Sequence, residues 1–220
     1  MKRKERSRTL SAFNKYRARV DWASDRPEVW QAGLQWYPEA AERLSEATEG
    51  TTVSLYRAAG VAALLSPLTP WNRNLRGTEQ LLRWYGDGAP HEILVEVASR
   101  STVYNSNAKR AVKYLTGNDL AYPSGPKTGP FHANLSGNLS PVTVDSWMFR
   151  IVGGFGLQSK APTGNAKRAI QRAVRMCSTL YDIEPAQAQA IIWTVERDYW
   201  DPETPNRADT LDVQKRLRTA

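Results

Sequence analysis

The sequence contains a single cysteine, Cys177, among its 220 residues. One thiol excludes an internal disulfide, a zinc site made only of cysteines and a cysteine-ligated iron–sulfur cluster. Long apolar runs are also missing, since no stretch approaches the roughly eighteen apolar residues that a membrane-spanning helix needs. The basic N-terminus leads into no apolar signal core. We therefore expect a cytoplasmic protein with no membrane partner and no iron–sulfur cluster.

Regular β patterns are missing as well. No alternation of apolar and polar residues runs for more than four positions, and no segment repeats at a fixed period. Apolar residues at helical spacing instead predict an all-α fold. The segment from about residue 51 to 65 is apolar most of the way round, which predicts a buried central helix capped by Thr51 or Thr52. The other expected helices begin at about Ser11 or lie near residues 27–37, 38–48, 73–85, 90–99, 106–116, 128–135, 146–152, 163–181, 185–199 and 210–217.

The net charge of +8 is unevenly spread along the chain. Residues 1–20 contain eight lysines and arginines and one glutamate, whereas residues 100–175 contain eleven basic and two acidic residues. Such asymmetry predicts a polyanion on one face, with nucleic acid as the leading candidate and solubility as the simpler explanation. We expect residues 1–20 to form a basic arm that either follows phosphates or is disordered.

One lysine and one aspartate are placed for chemistry. Lys127 follows a Gly-Pro turn, and Asp145 lies eighteen residues further along the chain. A helix-sized piece and a turn at Gly137 separate them, so both side chains are expected to face one cleft. Each also has a simpler explanation, because a lysine in such a turn often only binds phosphate and aspartate is a favoured N-cap residue.

These residues belong to a longer pattern. Residues 125–129 match a hairpin that ends in G-x-K-T-A, and residues 144–150 match V-D-T-H-x-x-R. Upstream, residues 63–67 resemble an L-L-S-A-Q segment, and residues 104–109 resemble a Y-N-x-K-A segment. With these four elements in this order, the chain over about residues 53–152 resembles the helix-hairpin-helix DNA glycosylases of the endonuclease III type.

The resemblance implies a two-lobed helix-hairpin-helix fold and a DNA partner. Lobe A would comprise about residues 53–152 and lobe B about residues 21–52 together with 153–220, so that residues 21–220 form a single helical domain behind the arm. Members of this family flip a base out of the duplex and cleave its N-glycosidic bond. No cofactor is expected, and the place of action would be the nucleoid or the cytoplasm of a phage-infected host.

The resemblance also assigns roles. Lys127 would attack C1′ and form a Schiff base that permits strand cleavage, and Asp145 would stabilise positive charge on the sugar. Capping is the simpler role for Asn105, while His132 and Gln189 are expected to be packed rather than functional. The expected DNA contacts, by motif or by charge, are Gly125, Thr128, Asn105, Lys109, Arg150, Lys167 and Arg168. The aromatic residues expected by position to line the base pocket are Trp71, Tyr104, Phe131 and Trp147, and no metal site is expected.

Several positions depart from the family pattern. The first helix of the hairpin is shortened or absent, and Ser146-Trp147 replaces the Thr-His pair. Leu68 replaces a glutamine that in the family helps to fill the gap left in the duplex. Two alternatives therefore accompany base excision. One is a glycosylase-fold enzyme that hypermodifies a DNA base without excision, as in phage thymine hypermodification, and the other is a non-catalytic DNA-binding protein. The retained Lys127 and Asp145 argue against a pure binder.

Overall fold

The computed structural model describes residues 3–152 and 164–200, and these residues form helices, turns and loops without a β-strand. The predicted all-α class is confirmed. None of the described helices is both long and apolar enough to span a bilayer. The loop expected after residue 152 and the helix expected at 210–217 lie outside the described residues. In chain order the helices are α1 (Arg3–Ser24), α2 (Pro27–Glu46), α3 (Leu55–Leu65), α4 (Trp71–Gly86), α5 (His91–Ser101), α6 (Asn105–Leu115), α7 (Thr128–Leu135), α8 (Ser146–Ile151), α9 (Gly164–Tyr181) and α10 (Pro185–Trp200), with a 3₁₀ helix at Asp119–Ala121.

The helices form two compact units. Unit 1 comprises Met1–Tyr37 and Leu139–Ala220, and unit 2 comprises Pro38–Asn138. The expected lobe boundaries near residues 53 and 152 differ from this division. Val142 and Val144 are buried in the core of unit 1, so the segment before α8 belongs there. Val53 is buried in the core of unit 2, so residues 38–52 lead into that unit.

The described part of residues 1–20 is not a separate arm. The helix α1 begins at Arg3 rather than at about Ser11, and it packs against α9 and α10. Tyr16 and Val20 are fully buried in the core of unit 1. Ala12 is buried with them, and this spacing of four residues places all three on one helix face. The apolar face therefore makes α1 a structural helix of unit 1, which corrects the expected arm.

A buried ion pair crosses the core of unit 1. Arg19 of α1 donates from Nε and Nη2 to Oε2 of Glu196 in α10, at 2.8 and 2.7 Å. Both side chains are almost entirely removed from water. The Nη1 atom of Arg19 also donates to the carbonyl oxygen of Lys15 at 2.9 Å. Because both ions are desolvated, each depends on the other for its compensation.

The helix α2 continues through Pro38, where two separate helices were expected. Proline has no N–H, so the carbonyl oxygen of Leu34, four residues earlier, loses its helical donor. Gln187 of α10 donates from Nε2 to that oxygen at 3.3 Å. The prediction of a break was wrong because a side chain from another helix supplies the missing donor.

The helix α3 is the buried centre of unit 2, as predicted. All eight residues from Ala58 to Leu65 are buried, and the helix packs against α4, α6 and α7. A Cβ atom at Gly60 would lie 2.3 Å from Cε1 of Tyr114, so only glycine allows this close approach of α3 and α6.

The cap of α3 differs from the prediction. Ser54 is the N-cap residue, and its hydroxyl accepts a hydrogen bond from the N–H of Arg57 at 3.2 Å. Thr51 is instead used in the preceding turn, where its hydroxyl donates to the carbonyl oxygen of Thr48 and accepts from the N–H of Val53. The helix therefore starts two or three residues later than either predicted cap would allow.

The ion pair leads to a first prediction. We expect Glu196→Gln to lower the free energy of unfolding by about 3 kcal/mol or more, because Arg19 then keeps a buried charge without a counter-ion. Equilibrium urea unfolding at neutral pH, followed by circular dichroism, measures this change. The double variant Arg19→Met/Glu196→Leu removes both charges and should recover most of the loss. A double variant as unstable as Glu196→Gln would contradict the interpretation.

The proline in α2 leads to a second prediction. Gln187→Met removes the external donor, and we expect a loss of about 1 kcal/mol that depends on Pro38. In the Pro38→Ala background the alanine N–H reaches the carbonyl oxygen of Leu34, so the same substitution should cost less. A double-mutant cycle from urea unfolding measures the coupling, and it also cancels the bond that Gln187 Oε1 accepts from the N–H of Glu184. Equal losses in the two backgrounds would refute the assigned role of Gln187.

Candidate functional site

The turn before α7 is closed by its own hydrogen bonds. The N–H of Gly125 donates to Oγ1 of Thr128 at 3.1 Å, and the N–H of Gly129 donates to the carbonyl oxygen of Gly125 at 2.9 Å. A Cβ atom at Gly125 would lie 2.8 Å from Oγ1 of Thr128, so a side chain there would displace this hydroxyl. Contact of Gly125 and Thr128 with a DNA phosphate stays a prediction. For the N–H of Gly125 to donate to a phosphate, its hydrogen bond to Oγ1 of Thr128 must first break.

Lys127 precedes α7 and reaches the end of the buried helix α3. Its Nζ lies 3.5 Å from the carbonyl oxygen of Ser66, the C-cap residue of α3. The same atom lies 5.7 Å from the ring centroid of Phe131, close enough for an attractive cation–π contact. The negative end of the α3 dipole further favours a cation at this place. The side chain is half-buried, so the amine is held in a defined position while part of it stays accessible.

Two of the four expected pocket residues lie together in unit 2. The rings of Trp71 and Phe131 meet edge to face, with centroids 6.2 Å apart. Tyr104 is exposed at the N-cap of α6. Trp147 lies in unit 1, where the guanidinium of Arg150 stands 4.6 Å from its ring centroid. The structure thus groups Trp71 and Phe131 with Lys127 in one cluster, and the pocket role of all four residues stays a prediction.

Leu68, in the loop that leaves α3, has a backbone conformation that leucine rarely adopts. Its φ of 57° lies in the left-handed region, where a bulky side chain clashes with the backbone. The turn is held by the N–H of Thr69, which donates to the carbonyl oxygen of Ser66 at 3.2 Å. The side chain of Leu68 is 51% exposed, so no burial compensates the strain. Strain of this kind concentrates at functional sites, and this loop shares Ser66 with Lys127.

Asp145 is the N-cap residue of α8 in unit 1. Its Oδ1 accepts a hydrogen bond from the N–H of Met148 at 3.0 Å, so the capping role is confirmed. Lys127 belongs to unit 2, and the expectation that the two residues face one cleft stays a prediction. The charge-stabilising role of Asp145 likewise stays a prediction.

Two buried tyrosines lie near enough to Asp145 to feel its charge, and their hydrogen bonds were not predicted from the sequence. The hydroxyl of Tyr16 donates to the carbonyl oxygen of Met148 at 2.7 Å, and the hydroxyl of Tyr37 donates to Oε1 of Gln189 at 2.7 Å. Burial raises the pKa of both tyrosines, and the charge of Asp145 adds to each rise. Both phenols therefore stay protonated at neutral pH. The available signal was the presence of Gln189 and Glu196 on the otherwise apolar face of α10.

The expected DNA contacts are divided between the units. Asn105 and Lys109 are exposed on α6 of unit 2, and the N-cap of that helix is Tyr104, so the predicted capping role of Asn105 was wrong. In unit 1, Arg168 of α9 is exposed and bonds to Asn165. Lys167 is half-buried, and burial lowers its pKa. A single basic face over residues 100–175 is therefore not a property of one unit, and contact with DNA stays a prediction for each residue.

No three His, Cys, Asp or Glu side chains cluster as metal ligands within residues 3–152 and 164–200. The candidate groups are thus an amine and aromatic rings in unit 2, and a carboxylate and phenols in unit 1.

The comparisons with known proteins identify one family. A model described as a family of unknown function, DUF7178, matches residues 2–200. No curated protein and no solved structure matches the chain.

The strain at Leu68 gives a third prediction. We expect Leu68→Asn to raise the free energy of unfolding by about 1 kcal/mol, because asparagine tolerates the left-handed conformation. Leu68→Ala removes the same exposed side chain but keeps the strained backbone, so it should leave stability within about 0.5 kcal/mol of the wild type. Urea unfolding of the three proteins decides the matter. Equal stabilities for the asparagine and alanine variants would show that the φ value does not cost stability.

Proposed function

We propose that this chain, which belongs to the DUF7178 family of unknown function, is a DNA enzyme that resembles base-excision glycosylases. In this proposal it flips a base from the DNA and breaks the bond between the base and C1′ of the sugar. The observation that carries the proposal is the position of Lys127. Its amine is held against the carbonyl end of a buried helix and over an aromatic ring, at the start of α7, where the motif has its lysine.

Lys127 is the proposed nucleophile. After losing a proton, Nζ forms a bond to C1′ while the C1′–N bond breaks, and its electron pair leaves with the base, which takes a proton from water. Nζ then loses a second proton to water, and its lone pair forms the C=N bond as the C1′–O4′ bond breaks and O4′ takes a proton. The sugar ring is now open, and the Schiff base between Nζ and C1′ permits cleavage of the strand. The aromatic pair of Trp71 and Phe131 beside the amine supports this role, because flat apolar rings can hold a base out of the stack.

Asp145 is the proposed group that stabilises positive charge on the sugar. Capping of α8 orients one carboxylate oxygen, because that oxygen accepts the N–H of Met148. The buried phenols of Tyr16 and Tyr37 are close enough for the charge of Asp145 to raise their pKa values. A carboxylate fixed in this way needs little reorganisation when charge develops beside it.

Leu68 is the proposed residue that fills the space left by the flipped base. The side chain is exposed, apolar and held on a strained turn, which is the form expected of a group that enters the base stack.

Modification of the base without excision is the second candidate. The observation that favours it lies between α6 and α7, where the described chain contains only the 3₁₀ helix Asp119–Ala121 in place of a full hairpin helix. The internal bond of Gly125 also occupies an N–H that a family hairpin would direct at phosphate. Both features suit a divergent member of the glycosylase fold.

Borohydride trapping tests the excision proposal and is our fourth prediction. We expect a covalent protein–DNA adduct with at least one oligonucleotide from a panel of single-stranded and duplex substrates carrying different base lesions, because borohydride reduces the Schiff base to a stable amine. Lys127→Ala should abolish the adduct, whereas Lys15→Ala, a lysine of α1 that is half-buried like Lys127, should keep it. Asp145→Asn should slow its formation by about a hundred-fold, the usual size for a lost electrostatic group.

The control readouts separate the alternatives. Circular dichroism establishes that each variant is folded, and mass spectrometry of released nucleosides detects abasic sites or a heavier base. If the wild type binds DNA but forms neither an adduct nor abasic sites, excision is wrong. A heavier base, formed in the presence of a co-substrate, would then identify modification.

A further inference from the structure

A second candidate surface lies on unit 2 and uses neither Lys127 nor Asp145. Leu120, in the 3₁₀ helix, is 96% exposed, and Tyr56 and Tyr122 are also exposed. The two tyrosine hydroxyls lie 3.1 Å apart and share a hydrogen bond. We call Tyr56, Leu120 and Tyr122 the tyrosine patch.

The rings of the tyrosine patch rest on a buried histidine. The centroid of His132 lies 4.3 Å from that of Tyr56 and 5.3 Å from that of Tyr122. His132 is completely buried, as expected, and its Nε2 bonds to the carbonyl oxygen of Tyr56 at 2.9 Å. Packing from behind therefore fixes the orientation of both exposed rings.

Tyr56 carries no negative charge at neutral pH. The hydrogen bond to Tyr122, with burial as a smaller cause, raises the pKa of Tyr56 to about 12. Its phenol is therefore protonated and does not repel phosphate. Burial lowers the pKa of His132, so the imidazole beneath the rings is neutral.

Leu120 is presented by a braced turn. Its N–H donates to Oδ1 of Asn118 at 3.1 Å. Arg110 donates to the carbonyl oxygens of Ala121, at 3.1 Å, and of Tyr122. Arg57 bonds to Oδ1 of Asp119 at 3.1 Å on the other side. Four hydrogen bonds made by side chains thus fix the turn that carries Leu120. The side chain of Leu120 is nevertheless exposed, so the turn does not serve to bury it.

Two arginines contact the turn that carries the patch, and two exposed lysines flank Arg110 along α6. Lys109 and Lys113 lie one helical turn apart on α6 and are exposed, and Arg110 between them contacts the patch backbone. Arg57 adds a further positive charge, against the single carboxylate of Asp119. The matching partner is thus an anion with flat apolar groups.

We infer that the tyrosine patch binds the unpaired bases of a nucleic-acid strand, with Lys109 and Lys113 contacting its phosphates. In a duplex the base faces are already stacked on each other, whereas in a single strand they are free to stack on tyrosine rings and on Leu120. The surface goes beyond the proposed function, since strand binding there does not depend on any chemistry at Lys127.

Fluorescence anisotropy with a labelled thymine oligonucleotide of about 20 nucleotides tests the inference, as our fifth prediction. We expect the patch to contribute to the binding of this strand and not to the binding of the corresponding duplex. Tyr56→Leu should weaken strand binding by about ten-fold, the effect of losing one stacked base, while Tyr56→Phe keeps the ring and should stay within about two-fold. Leu120→Ser should also weaken binding, whereas Leu180→Ser, another exposed leucine but in unit 1, should not.

The salt dependence tests the phosphate contacts. Lys113→Gln should reduce the slope of log K against log salt by about 0.7, the value for one contact to a single strand. Arg83→Gln, an exposed cation on α4, should leave the slope unchanged. Thermal melting of each variant establishes that it is folded. Leu120→Ser is expected to fold normally, because the side chain of Leu120 is exposed.

Three results would overturn the inference. Unchanged strand affinity in both Tyr56→Leu and Leu120→Ser is the first, and equal weakening of strand and duplex binding by Tyr56→Leu is the second. The third is a wild-type dimer that Leu120→Ser converts to monomers while strand binding stays the same, because the patch would then be a self-contact. These measurements follow equilibrium binding and require no covalent adduct, so a failure of borohydride trapping leaves this inference intact.

Discussion

The buried ion pair between Arg19 and Glu196 is the constraint on which unit 1 depends. Two desolvated charges must meet at hydrogen-bonding distance, so α1 and α10 have little freedom to slide past each other. One turn away from Arg19, Tyr16 donates its hydroxyl to the carbonyl oxygen of Met148 in α8. The same α8 is capped by Asp145. The position of the candidate carboxylate therefore follows from the packing of α1, which makes the N-terminal helix part of the site's support.

Two glutamines of α10 form hydrogen bonds with α2. Gln187 supplies the donor that Pro38 denies to the carbonyl oxygen of Leu34, and Gln189 accepts the hydroxyl of Tyr37. These two bonds hold α2 at the point where the chain passes from unit 1 to unit 2. Buried polar atoms must find partners, and here the partners come from a helix more than a hundred residues away in the sequence.

In unit 2 a buried central helix, α3, leads at its C-terminal end to two features that carry a free-energy cost. The helix α3 is buried along eight consecutive residues, which gives the unit a rigid axis. The loop after it contains Leu68 in the left-handed region, and the amine of Lys127 is half-buried beside Ser66. Backbone strain at Leu68 opposes folding, and the partial burial of the Lys127 amine costs solvation that its contacts with Ser66 and Phe131 offset. Their occurrence next to each other is the reason to place function there, and it supports the proposal made for Lys127.

Local pattern predicted most of the described helices, because helix formation depends on spacing, proline and glycine within a few residues. It predicted the all-α class, the buried α3 and the span of α7, and it identified Asp145 as an N-cap residue. It failed at Pro38 and at the expected basic arm, where partners distant in the chain decide the outcome. Only tertiary structure pairs Arg19 with Glu196, sets Lys127 against Ser66 and places His132 behind two tyrosines. Such contacts join residues far apart in the sequence, and no local periodicity encodes which of the many possible partners will meet.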